Sequence, residues 1–459
     1  MNLSFYGKAG WILSILLMFS CESYLDERPS KSIVLPRTVD DLRSILNAPD
    51  IINTGDGFSL VLSDDLYTTD QGWLGYDELS RDGYLWIRQL GNQDGDFYPW
   101  SLAYSNIFRT NVVLEEADKL LPASGAERRE IEQVRGTALF LRAFHYFDLL
   151  QLFSHPIVED ADFEREAIPL KLTPGLEDNQ GKASSQEIYM RIIDDLKAAS
   201  ELLPEKEENT LRPSKAACFG LLARVFLQLH RYPEALDFTE DALAIQSELL
   251  DFNDIPALST IPIARNNYPI PRFNEEVVIH FQASLSSYQF SALTFIDPGL
   301  YESYEENDIR KYLYFTEPDP EGRVNFVGNF TGSFQLFSGI TTGELYLIRA
   351  ECQARLGMDE QASSTLNTFL DSRYFMGTYE QYHPGDNERV LDKILLERRK
   401  ELVFRGSSRW RDLRRFLGNS GWSGPYVRSI EGKDYTLGVD PSGYQMNIPA
   451  NEQALNDKL

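Results

Sequence analysis

Residues 215–243 read KAACFGLLARVFLQLHRYPEALDFTEDAL. Phe219, Ala223 and Phe226 are followed by Tyr232, Ala235 and Ala242, which is the order of aromatic and small residues in a tetratricopeptide helix pair. Small residues there let two antiparallel helices approach closely, and the rings fill the holes beside them. A weaker copy, ELYLIRAECQARLGMDEQASSTLNTFL at 344–370, places Tyr346, Ala350, Gly357 and Ala362 in the corresponding positions.

Outward from this pair, residues 99–153 and 184–247 carry apolar residues at i, i+3, i+4 and i+7 in long runs free of Pro and Gly, the period of amphipathic helices. In SSQEIYMRIIDDLKAASELLP, Ser184 precedes Glu187 by a capping-box interval and Pro204 closes the run, so one helix is predicted between them. Helical repeats are expected over about 99–153, 184–247 and 341–416. Uninterrupted solenoids bury each repeat on the next; here segments 51–98, 250–340 and 417–447 intervene, rich in Gly, Pro, Asn, Asp and aromatics. Insertions this long are usually functional. The expected fold is mainly α: a scaffold of helix pairs carrying a loop-rich, aromatic-rich face.

The 459 residues include 44 Lys+Arg against 70 Asp+Glu, a net charge of −26. That argues against nucleic acid as a partner, because neutralising a phosphate backbone needs clustered Lys and Arg. A hydrophobic fraction of 42% allows a substantial core, and three cysteines exclude a disulfide framework. Cys218 and Cys352 sit among apolar and alanine residues and read as small buried hydrophobes. At the start, Lys8 precedes the apolar run WILSILLMF (11–19) and Ser20-Cys21. Nine residues are too few to span a bilayer, and the pattern is that of a secretory signal. It resembles a bacterial lipoprotein signal: residues 1–20 would be removed and Cys21 diacylated, anchoring a single domain, 21–459, to the membrane.

In order along the chain, CESYLDERPSKSIVLPRTVDDLRSILN (21–47), GTALFLRAFHYFDLLQLFSHPIV (136–158), LLERRKELVFRGSSRWRDLRRF (395–416) and NIPANEQALND (447–457) resemble segments of the SusD/RagB family of outer-membrane lipoproteins. The match includes Leu141, Arg142, Ala143, Tyr146 and Phe147, and a short helix after the first Pro; Arg405 and the Ser407-Ser408 pair depart from the pattern. The resemblance implies a surface lipoprotein that caps a SusC-like TonB-dependent transporter and captures oligosaccharides, or peptides or another nutrient in some branches. It implies no catalysis and no cofactor.

No HExxH, GxSxG or Walker A motif occurs; GLEDNQGK (175–182) is one residue too long and lacks the Ser/Thr. The five histidines, 145, 155, 230, 280 and 383, share no metal-ligand spacing, and His145 reads as a core residue. Adjacent acids such as Asp194-Asp195 and Glu115-Glu116 could serve a glycoside hydrolase, but solvated helix faces account for them better. Glu397, Arg398, Arg399, Glu401, Arg409 and Asp412 read as i, i+4 ion pairs along a helix.

A pyranose offers an apolar C–H face to an aromatic ring and hydroxyls to Asn, Asp, Gln or Arg at the rim. DDLYTTDQGWLGYDELSRDGYLWIRQLGNQDGDF (64–97) supplies Tyr67, Trp73 and Tyr76 in that company, with Trp73 between two glycines. Trp86, Trp100 and Tyr104 read as core. A second group, Tyr288, Phe290, Tyr301 and Tyr304, lies in the later insertion. The expected stacking residues are Trp73, Tyr76, Tyr67, Tyr288 and Tyr301.

Overall fold

Thr38 accepts a hydrogen bond from the Asp41 amide while the Asp41 carboxylate accepts one from the Thr38 amide, and this reciprocal cap starts helix α1, Val39–Leu46. The computed structural model describes residues 36–47, 52–89, 97–121, 124–175, 181–385, 389–418, 424–456 and 458–459. Cys21 and the expected signal lie outside the described residues. The long helices are α2 (Tyr98–Leu120), α3 (Gly125–Phe153), α4 (Ser185–Leu202), α5 (Lys215–Gln228), α6 (Tyr232–Ile245), α7 (Thr342–Arg355), α8 (Asp359–Asp371), α9 (Val390–Glu401) and α10 (Ser408–Arg415). Strands are short, and the fold is mainly α. No helix of the described residues is long and apolar enough to cross a membrane.

The repeat chemistry is realised in α5 and α6. Ala223, Ala235 and Ala242 are fully buried, and Phe226 stacks on Phe238 with centroids 5.5 Å apart and planes 2° off parallel. Between α7 and α8, Gly357 turns the chain at φ +76°, a conformation glycine adopts without a Cβ penalty, and Ala350 and Ala362 are buried. Ser184 and Glu187 form the expected capping box at the start of α4. One cluster of buried apolar side chains runs from Val39 to Ile448, with a smaller one around Leu347, Leu366 and Phe369. Cys218, Cys352 and His145 are buried within the helices, and burial raises both thiols and lowers the imidazole to about 4.

The insertions fold on each other. Thr54–Gly55 pairs in parallel with Gln282–Ala283, and Leu66–Thr68 pairs antiparallel with Thr294–Ile296, setting Tyr67 opposite Phe295. Segment 417–447, expected as loop, contains a hairpin of Tyr426–Ile430 with Lys433–Leu437. Its turn residues Glu431 and Gly432 have φ of 51° and 74°, the positive pair that a two-residue hairpin turn requires.

Two readings of charge are corrected. Asp195 is not on a solvated face: it is buried and receives Nε and Nη2 of Arg142 at 2.7 and 2.8 Å. The charged segment of α9 and α10 is likewise internal, and most of its partners are distant in sequence. Glu397 meets Arg310, Glu401 meets Arg373 and Asp412 meets Arg398, beside close pairs of the expected kind in Lys393–Glu397, Glu401–Arg405 and Asp412–Arg415. Arg399 and Arg409 reach Asp64 and Asp65 in the first insertion. The reason is placement: α9 and α10 are buried between the helices and the insertions, so their charges need partners from every element packed on them.

Candidate functional site

The second insertion places its rings by local hydrogen bonding. In 329–335 the Thr331 hydroxyl donates to the Gln335 carbonyl at 2.5 Å, and the Ser333 hydroxyl accepts from the Gln335 amide at 3.3 Å. Asn329 Nδ2 donates to the Ser333 carbonyl at 3.1 Å. Side chains of this type close tight loops without a ladder, and this one presents Phe334 to solvent. A single helical turn, Ser287–Phe290, presents Phe290 beside it. The rings lie 5.3 Å apart at 50° and are 45% and 49% exposed.

Between them opens a cleft of about 240 Å³. Tyr268, Phe326 and Phe404 add further rings, and Arg265, Asn266, Gln289, Asn325 and Asn329 supply the polar rim. Arg265 is held by its bond to the Phe290 carbonyl at 2.9 Å. Asn325 Nδ2 is engaged by the Thr294 carbonyl at 2.7 Å. Gln289 Oε1 and Asn329 Oδ1 are buried acceptors with no donor among the described atoms, a costly condition unless something else supplies one. Phe404 sits at φ +57°, unusual for a bulky residue and a form of strain found at binding sites.

A neighbouring cavity of about 210 Å³ is lined by Thr54, Tyr98, Ala283, Ser284, Leu285 and Gln335. Tyr98 and Leu285 are 44% and 48% exposed. Gln335 adjoins Phe334 in the chain, so the two openings share the 329–335 loop. Flat rings with amide and guanidinium groups at the rim suit a ligand with apolar faces and many hydroxyls.

The expected stacking residues fall elsewhere. Tyr76 and Tyr288 are buried, at 2% and 0% exposure, and present no face to a ligand. Their rings meet at 6.3 Å; Tyr76 Oη lies 2.5 Å from Thr294 Oγ1, and Tyr288 Oη donates to the Gly57 carbonyl. Since Thr294 lines the cleft, these two tyrosines support its floor and do not form its surface. The physical reason is the strand pairing of the insertions, which closes each over the other's aromatics. Trp73, Tyr67 and Tyr301 are half-buried and line neither cavity. Trp73 Nε1 donates to the Arg81 carbonyl at 3.2 Å, Tyr67 packs on Phe295 at 5.5 Å, and Tyr301 packs on Phe315 at 5.4 Å. Trp86 and Trp100 are core, as read. Tyr268 and Phe334 escaped the sequence reading, although ARNNYP (264–269) and NFTGSFQ (329–335) carry the same ring-beside-amide signal.

Among the described residues no group of three His, Cys, Asp or Glu is arranged to hold a metal ion. The carboxylates of α9 and α10 are occupied by guanidinium and ammonium groups. Burial alone would raise the Glu397 carboxyl, but Arg310, Lys400 and Lys393 overcome it and hold the group well below its usual range.

Two family models match the chain. One, described as starch-binding associating with outer membrane, covers residues 24–227, and the other, the SusD family, covers residues 272–457. A SusD-like protein P2 from Formosa agariphila is 27% identical over 244 residues, 50% of this chain and 44% of that protein. The chain thus aligns with less than half the length of that curated relative. The crystal structure of a SusD superfamily protein from Bacteroides thetaiotaomicron superposes with a TM-score of 0.73 at 18% identity, covering 92% of this chain and 98% of the other. That of a SusD-like carbohydrate binding protein from Bacteroides vulgatus gives 0.66 at 21%, covering 92% and 97%. Both likenesses are of fold.

Proposed function

We propose that this chain, which belongs to the SusD/RagB family, binds oligosaccharides without cleaving them, through the rings and amides of the second insertion. The observation that carries the reading is the half-exposed Phe290–Phe334 pair beside the amide and guanidinium rim of Asn266, Asn325 and Arg265. Sugar hydroxyls exchange hydrogen bonds with such groups, and C–H faces cover the rings. The binding of carbohydrate by a structural neighbour of the same fold supports the class of ligand. In the same proposal, acylated Cys21 tethers the protein at the outer membrane, and a SusC-like TonB-dependent transporter receives the bound sugar.

The test is affinity electrophoresis and calorimetry against purified glucan and other plant and algal oligosaccharides. Phe290→Ala and Phe334→Ala should each weaken the cognate ligand by on the order of 1 kcal/mol, the scale of an aromatic contact, with the oligosaccharide recovered intact. Unchanged affinity in the double variant would remove the cleft from the reading. Release of shortened sugars would replace binding by hydrolysis.

A further inference from the structure

Away from the cleft, a cavity of about 300 Å³ opens between α2, the 169–175 connection and the C-terminal segment. Trp100, Tyr104 and Phe108 follow at four-residue steps on α2, so they form one stripe along that helix. Trp100 and Tyr104 are in contact at 4.7 Å. Leu455 and Leu459 face them across the cavity, and Phe108 and Leu455 keep 42% and 76% of their surface exposed. Backbone polar groups of the wall are already paired: Tyr104 Oη donates to the Pro169 carbonyl at 2.8 Å and Asn111 Nδ2 to the Lys171 carbonyl at 3.0 Å.

Among the described residues, two charged side chains of the lining are left over. Lys171 and Glu452 both line the cavity and are both half-buried, yet neither side chain forms an ion pair with any described residue, nor with the other. In a chain with a large excess of acid, a half-buried lysine that meets no carboxylate among the described residues is conspicuous. A purely anionic ligand would meet Glu452, and a purely cationic one Lys171. A molecule with both charges and an apolar body satisfies both and covers the aromatic stripe.

We propose that this cavity is a second ligand site, separate from the sugar cleft, for an apolar zwitterion: a free apolar α-amino acid or the ends of a very short peptide. Lys171 takes the carboxylate, Glu452 takes the ammonium, and Phe108 with Tyr104 and Leu455 takes the side chain, over a floor that Trp100 supports. The site does not depend on the oligosaccharide reading.

Calorimetry of the full chain with L-phenylalanine tests it, using N-acetyl-L-phenylalaninamide as the uncharged control. The expected result is saturable one-site binding of the amino acid, about tenfold weaker or more for the control, the loss that 1.4 kcal/mol represents. Lys171→Gln should weaken the amino acid at least fivefold, with Phe334→Ala without effect. Should Lys171→Gln fail to fold, Glu452→Gln and Phe108→Ala, both at accessible positions, should show the same weakening. Absence of saturable binding, equal binding of the control, or full affinity in the charge variants would each overturn the proposal.

Discussion

Arg373→Met removes one cation from the middle of the protein. Arg373 is fully buried between the rings of Phe252 and Phe369, at 4.1 and 4.6 Å from their centroids. Its guanidinium meets Glu276 at 2.6 Å and Glu401 at 3.1 Å, and donates to the Leu250 carbonyl at 2.9 Å. Arg310, Arg373, Lys400 and Arg405 oppose Asp308, Glu276, Glu397 and Glu401 in this cluster. Bases and acids are equal in number among these buried groups, and Lys393 and Glu305 add one of each at the edge, so the variant leaves one buried carboxylate uncompensated. Breaking a buried pair in this way costs about 3–5 kcal/mol. With roughly 2.1 cal/mol/K of unfolding entropy per residue over 459 residues, that is a fall of about 3–5 °C in melting temperature if the chain unfolds as one unit. The loss should shrink in acid. In the wild type, burial raises Glu401 but Arg373 and its neighbours bring it below its usual value, whereas burial keeps Glu276 raised. Without Arg373 both folded-state values move up, so the variant binds protons on folding and recovers stability as pH falls toward them. Calorimetric or fluorescence melts of both proteins between pH 8 and 5 read the difference. A penalty under about 1 kcal/mol, or one that grows as pH falls, would refute the buried-cluster reasoning.

Tyr288→Ala should destabilise by about 3–5 kcal/mol, the cost of emptying a core aromatic site, and should lose sugar binding only through the disordering of Thr294; a melt unchanged from wild type would return Tyr288 to the surface. Ala242→Leu should overpack the α5–α6 pair by about 1–3 kcal/mol, visible as a lower urea midpoint. Cys21→Ala should move the protein from the membrane fraction to the soluble one and abolish labelling by a fatty-acid analogue, since short acyl anchors are the only tether proposed.

The helices were legible because their signals are local. Ser184-x-x-Glu187 fixes a start, and the Phe219/Ala223/Phe226 spacing fixes a face, whatever the rest of the chain does. The site was less so, because exposure is settled by contacts remote in sequence. Nothing near Tyr76 announces that Thr294, 218 residues on, will cover it. The same holds for α9: its i, i+4 spacing is real for Glu401 with Arg405, yet burial under the insertions, which no local pattern encodes, decides its role. Phe334 and Tyr268 stood beside amides as plainly as Trp73 did, and only the paired strands distinguish the rings left outside from those closed in.

The late hairpin has a consequence for the timing of folding. Arg428 is buried and donates to the carbonyls of Val61 at 2.8 Å, of Tyr84 at 2.6 Å, and of Ser63, groups 344 to 367 residues earlier. That guanidinium reaches those carbonyls only when the last tenth of the chain arrives. An emerging polypeptide can wind α2 to α6 early, since helix pairs need only near neighbours, but its first insertion must wait. Long loop closures of this kind are slow, so the nascent protein should spend its longest interval as a finished helical body with an open front, and ring exposure in that interval is when it most needs a chaperone.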